Sequence, residues 1–338
     1  MKKLAFFLMA LFLVGCLAGG SEASTVSLKI VTNYGPAHRA LAVVEHWAKR
    51  VEEETGGRVK SEIFPGEVLL RMAEMYPALL EGVVDVVAQD PSHNPEMFPL
   101  MAGFTLPGIQ MDNSIVATHV ANAYYRSDFD ELKRAKFLFA IGLSPSGIQS
   151  NVRIDTLEDF SGLQIRTNPF AAPPIRALGA TPVGMPASEI YEALLRGTVD
   201  ASCIPFDALV NWSLAEVCRY AINVPVINNT THYVAMNLAR WNSLPDDIKE
   251  AIEKVNQECI EMAAPLWDAM GDEGVLVSLD RGVEVYTLAD AELAKIVQVL
   301  EPLQASWVAE MDALRQPGQE ALDRLKELAA HYNALYGN

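Results

Sequence analysis

The first hundred residues alternate between two hydrophobic periods. Residues 28–32 alternate apolar with polar positions, as β-strands do, and residues 59–64 are also predicted to form a strand. Residues 40–54 and 72–81 repeat their apolar positions at helical spacing, and a short apolar run follows at 83–88. The pattern therefore predicts a β-α-β-α-β unit, which implies a parallel sheet with helices on its faces and right-handed crossovers.

A later part of the chain repeats this order of elements. Strands are predicted at 163–166 and 199–204, and helices at 171–178 and 187–196 lie between them. The chain is therefore expected to build a second α/β lobe of similar design.

One motif occurs in both lobes. The pattern Ala-Leu-Leu-x-Gly-x-Val-Asp spans residues 78–85 and again 193–200. Its glycine can adopt the left-handed conformation that ends a helix, and the apolar residues after it lead into the next strand. This small internal repeat supports two similarly built lobes.

Two stretches are predicted to cross between the lobes, which makes a cleft with a hinge. Residues 136–143 form an apolar, strand-like run out of the first lobe, and residues 231–238 return to it. From Pro245 to about Leu276 apolar residues recur at i+3 and i+4 steps, which predicts a bracing helix of about 45 Å. The predicted domains are a signal segment at 1–24, a first lobe at 25–143 plus 231–270, and a second lobe with the C-terminal helices at 144–230 plus 271–338.

The composition changes the picture chiefly through its charge. The 338 residues include 26 Lys and Arg against 43 Asp and Glu, a formal net charge of −17. Such a chain repels nucleic acid and anionic lipid surfaces, so we expect neither as a partner. An anionic ligand would have to be captured by a local cluster of donors, which directs attention to buried arginines.

The amino terminus has the layout of a secretory signal. Lys2 and Lys3 precede an uncharged apolar run over residues 4–14, and small residues follow. Residues 13–16 resemble a bacterial lipobox that would lipidate Cys16, and ordinary cleavage after Ala23 is the alternative. Both routes predict an extracytoplasmic, periplasmic protein, secreted by this segment and in the first case lipid-anchored.

The cysteines and histidines lack the spacing of metal or redox sites. Cys203, Cys218 and Cys259 form no Cys-x-x-Cys pair, and three buried free thiols are favoured over a Cys203–Cys218 disulfide. The histidines never occur at metal-binding helical spacing. Residues 142–147 lack the Gly-x-Ser-x-Gly spacing of a nucleophile elbow, and no phosphate or dinucleotide motif is present. We therefore expect no catalytic residue, no metal and no cofactor.

Arg166 is the strongest single candidate for binding. It closes the predicted strand at 163–166 at its carboxyl end, where open α/β sheets hold their ligands. A guanidinium at that position matches a carboxylate bidentately. A surface arginine paired with an acid is the alternative that position alone leaves open.

These residues also carry a family resemblance that covers nearly the whole chain after the signal segment. The chain resembles the DctP-type solute-binding proteins of TRAP (tripartite ATP-independent periplasmic) transporters. The matching stretches are Thr55-Gly56-Gly57-Arg58-Val59, Phe64-Pro65-Gly66, residues 104–107, residues 159–166, Gly179-Ala180-Thr181-Pro182-Val183-Gly184-Met185-Pro186 with the residues up to 194, and residues 197–200.

The resemblance implies a periplasmic-binding-protein-like α/β fold and a role in uptake rather than catalysis. In that family the strand-end arginine, here Arg166, anchors the substrate carboxylate. The partners implied are a small organic anion and the membrane subunits of a TRAP transporter, and the chain is expected to be a monomer. Residues that match the family's cleft, or lie beside it, are Asn33, Tyr34, His38, Arg71, Gln89, Asp90, Asn168, Phe170, Met185, Ser188, Phe206, Asp207 and Trp212.

Two departures from the family pattern bear on the ligand. A second basic residue that many members carry before Ser150-Asn151 is missing from residues 144–147, and a pocket asparagine is replaced at Ile204. The pocket should therefore be less cationic and more apolar, which favours a monocarboxylate with an apolar or aromatic body over a sialic or sugar acid. The alternatives are the binding component of an ATP-driven importer and a periplasmic enzyme or sensor on the same scaffold.

Overall fold

Each of the two predicted α/β units forms one sheet in the computed structural model, which describes residues 25–127, 129 and 131–337. The predicted signal segment and Cys16 lie outside the described residues. Among the helices that are described, none is both long and apolar enough to cross a bilayer. The three cysteines within this range, Cys203, Cys218 and Cys259, are buried free thiols.

The helices and strands follow the order that the sequence predicted. The strands are β1 Val26–Thr32, β2 Val59–Pro65, β3 Val86–Gln89, β4 Ala135–Gly142, β5 Gly147–Ser150, β6 Gln164–Thr167, β7 Thr181–Gly184, β8 Ala201–Ile204, β9 Tyr220–Asn223, β10 Thr231–Asn237 and β11 Glu284–Thr287. The helices are α1 Leu41–Glu54, α2 Met72–Glu81, α3 Ser114–Tyr125, α4 Ala172–Ala177, α5 Ile190–Leu195, α6 Ala208–Asn211, α7 Leu238–Ser243, α8 Asp246–Ala263, α9 Leu266–Asp280, α10 Asp290–Leu300, α11 Pro302–Ala313 and α12 Gly318–Tyr336.

The first sheet has the strand order β2-β1-β3-β10-β4. Strands β2, β1 and β3 are parallel, as the β-α-β-α-β pattern predicts, but β10 is antiparallel to both β3 and β4. The sheet is mixed because β4 carries the chain out of this lobe and β10 brings it back in the opposite direction. The carboxyl ends of β1, β3 and β4 consequently meet at one edge, facing the second lobe.

The second sheet has the order β11-β9-β5-β8-β6-β7. Strands β6, β7 and β8 run parallel, whereas β5 is antiparallel to its neighbours β8 and β9. The repeated motif behaves as predicted in both lobes, since Gly82 and Gly197 adopt φ angles of 75° and 68° at the ends of α2 and α5. Arg166 lies in β6, one residue before the strand ends.

The two crossings lie side by side. The backbone N–H of Leu143 donates to the carbonyl of Thr230 at 2.9 Å, and that of Ser146 donates to Asn228 at 3.2 Å. These two hydrogen bonds lie just beyond the β4–β10 ladder, where the chain passes between the lobes, so this short segment is suited to act as a hinge. The lobe boundaries at residues 143–144 and 230–231 stay a prediction.

The predicted bracing helix is divided into α8 and α9. Pro265 cannot donate a backbone hydrogen bond, and a proline in a helix interior breaks the helix. Helix α9 still joins the lobes, because Trp267 packs in the core of the first lobe while Gly274 lies against the backbone of Phe206 in the second.

The C-terminal helices divide between the lobes, which differs from their predicted place in the second lobe. Helix α10 contributes Ile296 to the core of the second lobe. Trp307 of α11 and Leu325 of α12 instead belong to the core of the first lobe, and α12 packs along α3. The chain therefore returns to the first lobe after α10, and the apolar residues of α11 and α12 complete the core of that lobe.

Candidate ligand-binding site

A cavity lies between the two sheets, at the edge where their carboxyl ends meet. Its volume is about 60 Å³, small enough that a compact ligand would fill it. The residues that line it come from both lobes and from both crossings. They are Asn33, His38, Met72, Asp90, His93, Leu143, Arg166, Asn168, Ala187, Cys203, Ile204, Pro205, Asp207, Trp212, Thr230, His232 and Trp267.

Arg166 is the cation of this cavity and is buried, with 4% of its surface exposed. Its Nε and Nη2 atoms donate to the carbonyl oxygen of Met185 at 3.1 and 2.8 Å. Among the described residues no carboxylate forms an ion pair with its guanidinium. Burial lowers the pKa of Arg166 to about 10, and the carboxylate of Asp90 opposes that shift. The guanidinium therefore remains charged at neutral pH without a directly bonded carboxylate among the described residues.

Two aspartates from opposite lobes also face the cavity. The carboxylate of Asp90, after β3, accepts hydrogen bonds from the backbone of Ser92 at 2.8 Å and from Asn168 at 3.3 Å. The second of these bonds crosses the cleft, because Asn168 follows β6. Asp207 accepts from Asn211 at 3.0 Å, and burial raises the pKa of its carboxyl to about 7.

The first-lobe wall of the cavity consists of neutral rings. The hydroxyl of Tyr34 forms a short hydrogen bond with Nδ1 of His232, and the ring centroids of Tyr34 and Trp267 lie 6.2 Å apart. Burial lowers the pKa of His38 to about 3 and that of His232 to about 4, so both imidazoles are uncharged at neutral pH. The His38 ring also meets Trp212 of the second lobe, with centroids 5.3 Å apart.

Half of the residues predicted for the site line this cavity. They are Asn33, His38, Asp90, Arg166, Asn168, Asp207 and Trp212. All but Trp212, which caps the end of α6, stand at the end of a strand or in the segment that follows one, where the sheet architecture brings side chains together.

Three further predicted residues lie behind the cavity wall. Tyr34 is fully buried against its neighbouring rings, and the amide of Gln89 donates to the hydroxyl of Tyr233 at 2.7 Å. Met185 contributes its backbone carbonyl to Arg166, and its side chain packs in the core of the second lobe. These residues support the wall without lining it.

The remaining four predicted residues are placed away from the cavity. Arg71 is exposed at the start of α2, and Ser188 is exposed before α5. Phe170 packs against the core of the first lobe. Phe206 fills the space over Gly147, where an added Cβ would lie 2.1 Å from its ring. The two aromatic residues therefore serve packing at the junction of the lobes.

His232 and Trp267 are the chief lining residues that the sequence interpretation missed. His232 is the second residue of β10, which returns from the crossing, and Trp267 is the second residue of α9, which runs from the first lobe toward the second. A tryptophan just after Pro265 is typical of core packing, so only long-range contacts place it at the cavity. No group of three His, Cys, Asp or Glu side chains that could hold a metal ion occurs in the part of the chain that the structure describes.

A family model and a curated relative both assign the chain to the same protein family. The family model DctP, described as bacterial extracellular solute-binding protein, family 7, matches residues 30–310. The C4-dicarboxylate-binding periplasmic protein DctP of Rhodobacter capsulatus is 26% identical over 259 residues, which cover 75% of this chain and 77% of that protein.

Solved structures of similar proteins agree in fold. A marine metagenome TRAP solute-binding protein specific for aromatic acid ligands, in complex with metahydroxyphenylacetate, matches with a TM-score of 0.85 and 25% identity, covering 91% of this chain and 99% of that one. A TRAP solute-binding protein from Rhodoferax ferrireducens with copurified benzoate matches with a TM-score of 0.86 and 24% identity, covering 92% and 99%.

Proposed function

This chain belongs to the DctP family of bacterial extracellular solute-binding proteins, family 7, the small-organic-acid receptors of TRAP transporters, and from that premise we propose which acid it takes. The ligand is a monocarboxylate with an aromatic or apolar body. Arg166 holds the carboxylate, and closure of the lobes encloses the rest.

The observation that carries this proposal is the unpaired buried guanidinium of Arg166. A buried charge without a partner is costly, and a carboxylate is the planar anion that fits an arginine fork. Nη1 of Arg166 makes no hydrogen bond to the described residues, so part of the fork is free for a ligand. Exclusion of water on closure strengthens the ion pair by lowering the local dielectric.

The charges around Arg166 favour one carboxylate over two. Asp90 and Asp207 line the same cavity, and His38 and His232 are neutral there. A second carboxylate would meet these acids without a second cation among the described lining residues. Two tryptophans and the neutral imidazoles offer flat, apolar faces instead, which agrees with the aromatic ligands of the similar solved structures.

The remaining inferences concern partners and location. The chain acts as a receptor without turnover, is exported by its amino-terminal segment, and works as a monomer that presents ligand to TRAP membrane subunits. Recovery of a bound acid chemically unchanged after long incubation supports a receptor, and a product would indicate an enzyme.

The test is a ligand screen followed by calorimetry on the protein without residues 1–24. We expect benzoate or a related aromatic monocarboxylate to raise the melting temperature more than succinate or malate does. Arg166→Gln should weaken that binding roughly 30-fold to several thousand-fold. The matched control is Arg71→Gln, which removes an exposed arginine and should leave affinity unchanged. Equal affinities for the two variants would remove Arg166 from the site.

A further inference from the structure

Two polar atoms in the first-lobe part of the cavity wall have no hydrogen-bond partner. They are Nε1 of Trp267 and Oδ1 of Asn33, and both atoms are buried. Trp267 as a whole is 1% exposed. Apart from the guanidinium of Arg166, these two are the only described residues lining the cavity that leave a buried side-chain nitrogen or oxygen unpaired. Buried polar atoms in folded proteins are nearly always paired, so these two indicate a missing partner.

Asn33 and Trp267 line the same cavity and come from the same lobe. Asn33 directly precedes Tyr34, whose ring centroid lies 6.2 Å from that of Trp267. Both residues belong to the wall that carries the neutral rings, and Arg166 comes from the other lobe. A ligand held by its carboxylate at Arg166 would therefore extend toward this pair of atoms.

The chemistry of the pair defines the missing group. The indole Nε1–H of Trp267 can only donate, and the amide oxygen of Asn33 can only accept. A hydroxyl both accepts and donates, so one hydroxyl can satisfy both atoms. A ketone or ether satisfies only the tryptophan, and an ammonium only the asparagine.

A second carboxylate fits this wall poorly. His38 and His232 are uncharged, and Asp90 already supplies negative charge to the same cavity. A neutral hydroxyl adds no charge, and so it meets no repulsion from Asp90. The donor and the acceptor are satisfied together without burying another ion.

We propose that the ligand carries a hydroxyl group in addition to its carboxylate, and that Trp267 and Asn33 of the first lobe bind this hydroxyl. The inference rests on the proposed function, because Arg166 must hold the carboxylate for the hydroxyl to face this wall. It makes Trp267 and Asn33 specificity-determining residues that select hydroxy acids over their unsubstituted parents.

The experiment compares matched ligands by calorimetry. The probes are benzoate with its three monohydroxy derivatives, phenylacetate with mandelate, and the methyl ether of whichever hydroxy acid binds best. At least one hydroxy acid should bind the wild-type protein about tenfold tighter than its parent acid. This is the gain in affinity expected from one well-placed hydrogen bond. Its methyl ether, which cannot donate, should lose most of that gain.

Variants then locate the effect. Trp267→Phe keeps a ring and removes the donor, and Asn33→Leu removes the acceptor at similar size. Each should reduce the ratio of hydroxy-acid affinity to parent-acid affinity to about threefold or less, because the hydroxyl loses one of its two partners. The control is Trp241→Phe, a tryptophan outside the cavity, which should keep the full preference. If Trp267→Phe does not fold, Asn33→Leu decides alone.

The outcomes separate the two proposals. Parent acids that bind through Arg166 without any gain from a hydroxyl would overturn this inference and leave the proposed function intact. A hydroxyl gain that persists in both variants would also overturn it. If no acid binds, or if Arg166→Gln binds all acids equally well, the proposed function fails first and the hydroxyl inference falls with it.

Discussion

The two walls of the cavity differ in charge and in how their polar groups are paired. The second-lobe wall presents Arg166, a buried charge with no acidic partner among the described residues, held by the carbonyl of Met185. The first-lobe wall presents neutral rings that are hydrogen-bonded or stacked on one another, such as Tyr34 with His232. Among the described lining residues, the first-lobe wall leaves only two neutral polar atoms without a partner, Nε1 of Trp267 and Oδ1 of Asn33, whereas the second-lobe wall leaves a charge without a direct ion pair.

From this difference we expect the second-lobe wall to supply most of the affinity and the first-lobe wall most of the selectivity. An uncompensated buried cation lowers the stability of the closed, empty protein and raises the gain when a carboxylate binds. Neutral rings cost little to bury and mainly set the shape and hydrogen bonding of the ligand. If the lobes close over the acid as proposed, a ligand that contacts both walls would shift the population toward the closed arrangement.

The largest expected effect separates binding from stability at Arg166. Arg166→Met keeps the bulk of the side chain and removes its charge, so acid affinity should fall at least about 30-fold. The free energy of unfolding of the empty protein should instead rise by about 1–3 kcal/mol, because the variant no longer buries a charge when it folds. Urea titration measures the second quantity. A strong loss of stability would mean that Arg166 serves the fold rather than the ligand.

A smaller effect concerns the pH dependence contributed by Asp207. Burial raises the pKa of its carboxyl to about 7, so in the closed protein it is neutral below that pH and charged above it. Its contribution to stability is therefore fully present below the unfolded pKa and is lost as pH rises through 7. Bound benzoate adds a negative charge to the cavity and should raise this pKa further, so its affinity should fall above pH 7, by at most about tenfold per pH unit.

The histidines cannot produce this dependence. His38 and His232 have pKa values of about 3 and 4, well below the range from pH 6 to 8.5. Asp207→Asn keeps the size of the side chain and should make affinity nearly independent of pH in that range. Calorimetry in buffers of matched ionic strength measures both proteins, and an unchanged slope in the variant would exclude Asp207 as the titrating group.

The smallest expected effect tests the contact of rings across the cleft. Trp212 of the second lobe meets His38 of the first, so it closes the cavity over an aromatic ligand. Trp212→Ala should weaken benzoate binding about threefold to tenfold and acetate binding much less. Trp212→Phe, which keeps a ring, should retain most of the affinity. Equal losses for benzoate and acetate would show that Trp212 does not contact the ligand body.

Much of the fold and part of the site could be predicted from the sequence. Local periodicity was sufficient for β1, α1 and β2, and the left-handed glycines Gly82 and Gly197 followed from local chain geometry. The position of Arg166 followed from the rule that sheet ligands lie at strand ends. These features depend on residues close together in the chain.

What could not be predicted depends on long-range contacts. The antiparallel return of β10 requires knowledge of where the chain re-enters the first lobe. Trp267 reaches the cavity only because α9 joins the lobes, and Arg71 misses it because its side chain is exposed, although the next residue, Met72, lines the cavity. Pro265 could have been recognised as the break between α8 and α9, since proline in a helix interior removes a hydrogen bond.

A comparison of a carboxylic acid with its amide shows directly whether the guanidinium of Arg166 binds the ligand's carboxylate. Calorimetry should compare benzoate with benzamide on the wild-type protein and on Arg166→Gln. We predict that the wild-type protein prefers the acid by roughly 30-fold or more, and that the variant binds acid and amide within about threefold of each other. An unchanged preference for the acid in the variant would contradict the account.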